Sequence, residues 1–348
     1  MSKRQPIAFV LSGGASLGAI QVGMLRALYE RGIVADLVLG TSAGAFNAAF
    51  IASRPQTVQT IDDLGAVWRG LTRGQVFPLN PLTGLLGFLG SRDHLVPDSG
   101  LRRLLKRHLE HERLEDMPLS LHIVAVDVIT GEELRLSAGS AVDAVMASAA
   151  IPALLPPVLW EDRELMDGAV ANDTPISHAV ELGAREIYVL PTGHACALEE
   201  SPHGALAMAL HALSLLMHRR LIEDLDKHKD QSKLVVLPPP CPLAIPPIDF
   251  GHAETLIGRA YADACKFLDN GGAARPPICM RMHRHDTNAR KAWEAGVAIS
   301  RVSGGSSCSS SSSVRGCASS LSPRTKGPQW PSTPRDDGRQ EHGPFPNS

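Results

Sequence analysis

Two short apolar runs near the start of the chain, Ile7-Ala8-Phe9-Val10-Leu11 and Leu37-Val38-Leu39, each stop at a glycine-bearing turn and give way to helical periodicity. An apolar run of this length, halted by Ser12-Gly13-Gly14, reads as a buried strand. Behind the first run Ile20, Met24, Leu25 and Leu28 fall on one helical face. Gly32 lies just past the end of that pattern, where a helix cap wants a residue tolerant of positive φ. Behind the second run, Ser42 opens a helix rich in Ala and Phe. Strand, helix, strand, helix within fifty residues is the pattern of a parallel α/β sheet with right-handed crossovers.

Further along, residues 54–100 are less regular, and 77–90 mixes Pro, Gly and large apolar residues, as a loop with an apolar surface does. Leu101 to Leu109 is helical, with Leu101, Leu104, Leu105 and Leu109 on one side and Arg102, Arg103, Lys106 and Arg107 on the other. A strand is expected over His122 to Val128, a turn at Thr130-Gly131 and a second strand over Glu133 to Leu136. A short helix follows over Val142 to Ala149, ended by Pro152. Met166-Asp167-Gly168 reads as a turn and Glu186 to Leu190 as another buried strand. A helix from Ala205 to about Lys229, a strand over Leu234 to Leu237 and a last helix over His252 to Leu268 complete the ordered pattern. Beyond Gly271-Gly272 apolar periodicity is lost, and Ser306 to Ser313 is nearly all serine. The chain therefore divides into a domain over 5–272 and a Ser/Pro/Arg-rich tail over 273–348, which has too little apolar surface to offset its ordering entropy.

A formal net charge of -2 lacks the basic excess of a nucleic-acid binder, so no nucleic-acid partner is expected. The six cysteines are scattered without a C-x-x-C pair, which excludes a disulfide scaffold and a zinc site and makes a reducing, cytoplasmic setting the default. Ile7 to Leu11 is too short for the apolar region of a signal peptide. The longest apolar stretch, Ala205 to Met217, is interrupted by His211 and falls short of the ~20 residues that span a bilayer.

Gly40-Thr41-Ser42-Ala43-Gly44 is a G-x-S-x-G segment. Between a strand and a helix its glycines allow a sharp corner that exposes the serine hydroxyl above a helix N-terminus, whose free N–H groups favour a developing anion. Ser12 to Gly18 places further glycines at the first strand-to-helix turn. That segment is open to three readings. A dinucleotide fingerprint wants an acid ending the second strand, whereas Asp36 precedes it; a P-loop wants Gly-Lys-Ser/Thr, which is missing; simple close packing of helix on strand remains. An oxyanion hole becomes the best choice because a candidate nucleophile lies one βα unit away. Asp167-Gly168-Ala169, taken alone, is a turn signal.

Together, Ser12 to Gly18, Gly40 to Gly44 and Asp167 to Ala169 resemble the patatin-like phospholipase family in order and spacing. The likeness runs from about Ile7 to Leu268 and includes Gly18 to Leu25, Ala147 to Pro152 and Asp249-Phe250. It implies an α/β, patatin-like fold with a mostly parallel central sheet flanked by helices on both faces. It also implies hydrolysis of fatty-acyl esters of lipids through an acyl-enzyme, with Ser42 as nucleophile and Asp167 as base. The amides of Gly13, Gly14 and Ala15 would form the oxyanion hole, and no metal or cofactor is called for. Ala15 stands where the family usually has a third glycine, and Leu17 where many members have Arg or Lys.

Two alternatives stay open. A Ser–His–Asp esterase would draw on His178, His194, His203 or His211, although the α/β-hydrolase elbow follows several strands and Ser42 follows only two. A non-catalytic, membrane-associated regulatory protein would keep the fold. The implied partner is a lipid or acyl-ester substrate, with peripheral membrane contact through 77–90 or the basic face of 101–109. A core loop and a solvated helix face are the favoured reading of those two segments. His283-Arg284-His285 reads as a solvated basic cluster of the tail.

Overall fold

The computed structural model describes residues 5–78, 91, 93–193, 201–243 and 245–274. Strands β1 (Ile7–Leu11), β2 (Leu37–Thr41), β3 (Ser120–Asp127), β4 (Glu133–Leu136), β5 (Val158–Trp160), β6 (Arg163–Asp167), β7 (Glu186–Leu190) and β8 (Lys233–Val236) form one sheet. Its order is β5-β6-β3-β2-β1-β7-β8, with β4 paired to β3. The run from β3 through β2, β1 and β7 to β8 is parallel, and β4, β5 and β6 pair antiparallel. The expected mostly parallel sheet is thus the one observed.

β1 shows why the strands read as unbroken apolar runs. Phe9 and Leu11 enter one core cluster, while Ala8 and Val10 enter another on the opposite face. A strand covered on both sides has no polar face to alternate with. The first cluster is filled by α1 (Ala19–Tyr29), α2 (Ala43–Ala52), α3 (Val58–Gly70), α4 (Ser99–His108), α5 (Ala141–Ser148) and, much later in the sequence, the last helix, Ala253–Asp269. The second is closed by α6 (Ile176–Glu181), through Ile176 and Ala179, and by α7 (Ala205–His228), through Leu221 and Leu225. The last helix is α8.

Asp36 is structural: its Oδ2 accepts the Ile7 N–H at 2.8 Å, and its own N–H donates to the Ile7 carbonyl at 2.8 Å, clamping the entry of β2 to that of β1. Gly32 has φ 66°, as its place beyond α1 predicts. The described residues between 54 and 78 are more regular than their composition indicates, since α3 occupies thirteen of them. Thr57 caps that helix by accepting the Thr60 N–H at 3.4 Å, and Ile61, Leu64 and Trp68 are its buried stripe. The expected turn at Met166-Asp167-Gly168 is corrected as well. Asp167 is the last residue of β6, in register with Ala125, and the chain turns only at Gly168 into the one-turn helix Ala169–Asn172. β5 and β6 form a hairpin hidden in the polar stretch around Glu161, where φ is 55°.

α1 and α8 meet at Gly23, where a methyl group would lie 2.6 Å from the Tyr261 backbone nitrogen and still closer to the Ile257 carbonyl oxygen. Backbone cannot yield as a side chain does. Gly23→Ala is therefore expected to lower stability by roughly 1–3 kcal/mol through separation of the two helices, read as a lower midpoint in urea unfolding.

Candidate active site

Ser42 caps α2 at the end of β2 with φ 55° and ψ -120°, a conformation open to few side chains. The glycines on either side are required by space. A methyl on Gly40 would meet the backbone of Gly44 and Ala45, and one on Gly44 would meet the Leu11 and Ser12 carbonyl groups. β2, α2 and the end of β1 therefore touch backbone to backbone beneath the serine. The Ser42 N–H donates to Ser148 Oγ at 2.8 Å, and Ser148 Oγ donates to the Val124 carbonyl at 2.6 Å, tying the corner to α5 and β3.

The Ser42 hydroxyl donates to Asp167 Oδ2 at 2.8 Å, and both residues are buried. The β-sheet register produces this pair. Thr41 pairs with Val124 and Asp167 pairs with Ala125, so neighbouring residues of β3 hold the two ends. The Ala169 N–H donates to Asp167 Oδ1 at 2.9 Å, fixing the carboxyl plane. Burial pushes the Asp167 carboxyl up to about 7, against the pull of the Ala169 N–H and the Ser42 hydroxyl.

The glycine-rich turn lies alongside. A methyl on Gly13 would stand 3.2 Å from Ser42 Cβ, so this loop passes directly over Ser42. The Gly13 N–H is engaged by Asp173 Oδ1 at 3.0 Å, whereas Gly14 and Ala15 form no N–H hydrogen bond among the described residues. Gly14 has φ 148°, and Ala15 has φ 50°, the left-handed region that a third glycine would enter without strain. Leu17, which replaces a common basic residue, is buried in the core.

A buried polar chain holds the loop from behind. Gln21 Nε2 donates to the Ser12 carbonyl at 2.8 Å and the Leu190 carbonyl at 3.0 Å; Asn47 Nδ2 donates to Gln21 Oε1 at 2.8 Å; Trp68 Nε1 donates to Asn47 Oδ1 at 2.8 Å. From the far side, Thr192 Oγ1 donates to the Gly13 carbonyl at 2.5 Å. Sequence reasoning passed over Gln21, Asn47, Ser148 and Asp173 as functional residues. The available signal was a polar side chain in an apolar helical run, as at Gln21 and Asn47, where burial without a partner would be costly.

Among the described residues no histidine bonds to Ser42 or Asp167. His178 is held by Glu133 at 2.6 Å and Glu181 at 3.2 Å, and His211 accepts only through its backbone carbonyl. His194, residues 79–90 and the tail from 275 onward, including His283-Arg284-His285, lie outside the described residues. Arg102, on the basic side of α4, pairs with Asp98 and with Asp143 at 2.5 Å. Among the described residues no group of three or more His, Cys, Asp or Glu could hold a metal ion, and no helix is long and apolar enough to cross a membrane.

A buried corner serine is thus bonded to a buried aspartate beside a glycine-rich loop of backbone donors. Residues 9–180 match the family model described as patatin-like phospholipase, and this part of the chain belongs to that family. It is 30% identical over 196 residues to patatin-like phospholipase domain-containing protein 7 of Mus musculus, covering 54% of this chain and 14% of that protein. It is 30% identical over 201 residues to domain-containing protein 6 of Homo sapiens, covering 57% of this chain and again 14% of the relative. The chain thus spans about one seventh of the length of these curated relatives. Among solved structures it is similar to VipD from Legionella pneumophila, with a TM-score of 0.41 and 14% identity, over 84% of this chain and 74% of that one.

Two outcomes are expected. Ser148→Ala strands the buried Ser42 N–H and should cost about 1–3 kcal/mol in chemical denaturation. Asp167 is raised from 3.8 to about 7, so the stability it confers is complete below 3.8 and is lost as pH climbs through about 7. The melting temperature of Asp167→Asn should therefore gain on that of the unaltered protein as the buffer is taken from acid to mildly alkaline pH.

Proposed function

We propose that the chain is a serine acylhydrolase that cleaves fatty-acyl ester bonds of phospholipids and related lipids, with Ser42 as nucleophile and Asp167 as general base. The observation that carries this reading is the 2.8 Å bond from the Ser42 hydroxyl to a carboxyl that burial has made more basic. Ser42 Oγ attacks the ester carbonyl carbon as its proton passes to Asp167 Oδ2, and the carbonyl oxygen becomes negative. The loop Gly13-Gly14-Ala15 receives that charge, the unpaired N–H groups of Gly14 and Ala15 doing so directly; one such donor is typically worth ~3 kcal/mol. The protonated Asp167 then gives its proton to the leaving alcohol. Water, deprotonated by the same carboxylate, attacks the acyl-enzyme; the bond from Ser42 Oγ to the acyl carbon breaks, the proton passes from Asp167 back to Ser42 Oγ, and the fatty acid leaves.

An ordinary aspartate, near ~3.9, is a poor base for a hydroxyl at neutral pH. Removing it from water closes part of that gap and leaves it to be neutralised in the very step it assists. Apolar exposure beside both catalytic loops supports an acyl substrate. Val170, next to Asp167-Gly168-Ala169, is 40% exposed, and Ile248 is 42% exposed beside Pro247, whose carbonyl accepts the Ser16 N–H at 2.9 Å. On this reading the activity resides in residues 5–272, and lipid is taken by peripheral contact from the cytoplasmic side of a membrane.

The purified chain should react with a fluorophosphonate probe and hydrolyse p-nitrophenyl and phospholipid esters, with a rate that rises with pH through about 7 as the base ionises. Ser42→Ala should abolish both labelling and turnover, and Asp167→Asn should reduce kcat/KM by about 10²–10⁴-fold. Undiminished ester turnover by Ser42→Ala would rule the assignment out.

A further inference from the structure

A second carboxyl is buried in the same centre, and the steps above give it no task. Asp173 is buried, and its Oδ1 accepts the Gly13 N–H at 3.0 Å while Thr174 Oγ1 donates to Oδ2 at 3.4 Å. The Asp173 backbone carbonyl also accepts the Gly13 N–H, at 3.3 Å. A methyl placed on Gly13 would lie 2.5 Å from Asp173 Oδ1 and 3.2 Å from Ser42 Cβ. Gly13 is therefore wedged between the nucleophile and this carboxyl. An acid removed from water without a cationic partner is costly, and such a cost is commonly met where a site needs the group.

We propose that Asp173 is a positioning residue for ester hydrolysis: by gripping the Gly13 amide it sets the Gly13-Gly14-Ala15 loop so that the Gly14 and Ala15 N–H groups face the oxygen that turns negative when Ser42 attacks. This rests on the reading of Ser42 and Asp167 as nucleophile and base. The loop needs such a grip because its backbone is held out of the ordinary regions, with φ 148° at Gly14 and 50° at Ala15. Gln21 fixes its entry through the Ser12 carbonyl, and Thr192 fixes the Gly13 carbonyl. The Asp173 side chain holds the remaining polar group of Gly13, its N–H.

The grip works best without charge. A negative Asp173 would stand against the developing oxyanion, whereas a neutral carboxyl still accepts the Gly13 N–H through its carbonyl oxygen. Burial above all, together with the nearby Asp167 carboxylate, raises this group to about 7. From β6 the facing ionisable group is Asp167. The glycine-rich loop brings Gly13, which carries no charge, and Thr174 adjoins it on its own segment. The two carboxyls thus lose their protons in two steps belonging to the pair. The first loss supplies the base. The second sets a charge beside the loop, so the rate should rise and then fall with increasing pH.

Hydrolysis of p-nitrophenyl butyrate by the full chain tests this across a pH series, with Ser42→Ala as control. Asp173→Ala should lose about 10- to 100-fold in kcat with KM within about twofold. Asp173→Asn, whose amide oxygen still accepts the Gly13 N–H, should recover most of that loss and abolish the alkaline descent of the profile. Wild-type kcat in Asp173→Ala, or an alkaline descent that persists in Asp173→Asn, overturns the proposal. If Asp173→Ala fails to fold by circular dichroism, the Asp173→Asn profile decides alone. Turnover that survives Ser42→Ala removes the nucleophile assignment and this inference with it. Turnover that needs Ser42 but is indifferent to Asp173 removes only the inference.

Discussion

Val124 and Ala125 are consecutive residues of one strand, and the meeting of Ser42 with Asp167 follows from that adjacency. Thr41, which precedes Ser42, pairs with the first from one side of β3 and Asp167 pairs with the second from the other, so the register brings a hydroxyl and a carboxyl 125 residues apart in sequence to 2.8 Å. Sheet hydrogen bonds fix strand spacing to within tenths of an ångström, which loops do not. Ser148 reinforces the same spot, since it bonds at once to the Ser42 N–H and to the carbonyl of Val124. A one-residue slip of β6 along β3 would carry the carboxyl to the other face of the sheet.

With the register fixed, burial does the chemical tuning. Neither Asp167 nor Asp173 has a cation among the groups that shift it, and removal from water dominates both. In a centre built with imidazole, the ring supplies a base of suitable strength without help. Here a side chain of low intrinsic basicity is adjusted by its surroundings. The adjustment lowers stability above neutral pH, and the helices on both faces of the sheet supply the apolar burial that tolerates it.

The fold was legible wherever periodicity was strong. β1, α1, β2 and α2 lie where their apolar patterns place them, and Gly32 adopts the positive φ that its position beyond α1 demands. α3 was obscured because its stripe of Ile61, Leu64 and Trp68 is interspersed with Thr, Gln and Asp. The turn reading of Asp167 failed for a different reason: Asp-Gly does mark a turn, but the aspartate belongs to the strand that precedes it. Gly40 and Gly44 were expected on conformational grounds, whereas neighbouring backbone leaves no room for a side chain at either. Ser148, Gln21, Asn47 and Asp173 stayed hidden because their roles are set by partners 9 to 169 positions distant along the chain. Only tertiary structure reveals such partners.

The indole of Trp68 lies at the far end of the polar chain that runs through Asn47 and Gln21 to the Ser12 carbonyl, and its ring stacks on Phe250 at 6.5 Å with an interplanar angle of 8°. The same ring lies against Gly18, where the glycine-rich loop enters α1. Any rearrangement of that loop alters the hydrogen bonding or the polarity around one buried fluorophore. The protein therefore carries its own optical gauge of the glycine-rich loop, built from the residues that keep it in place.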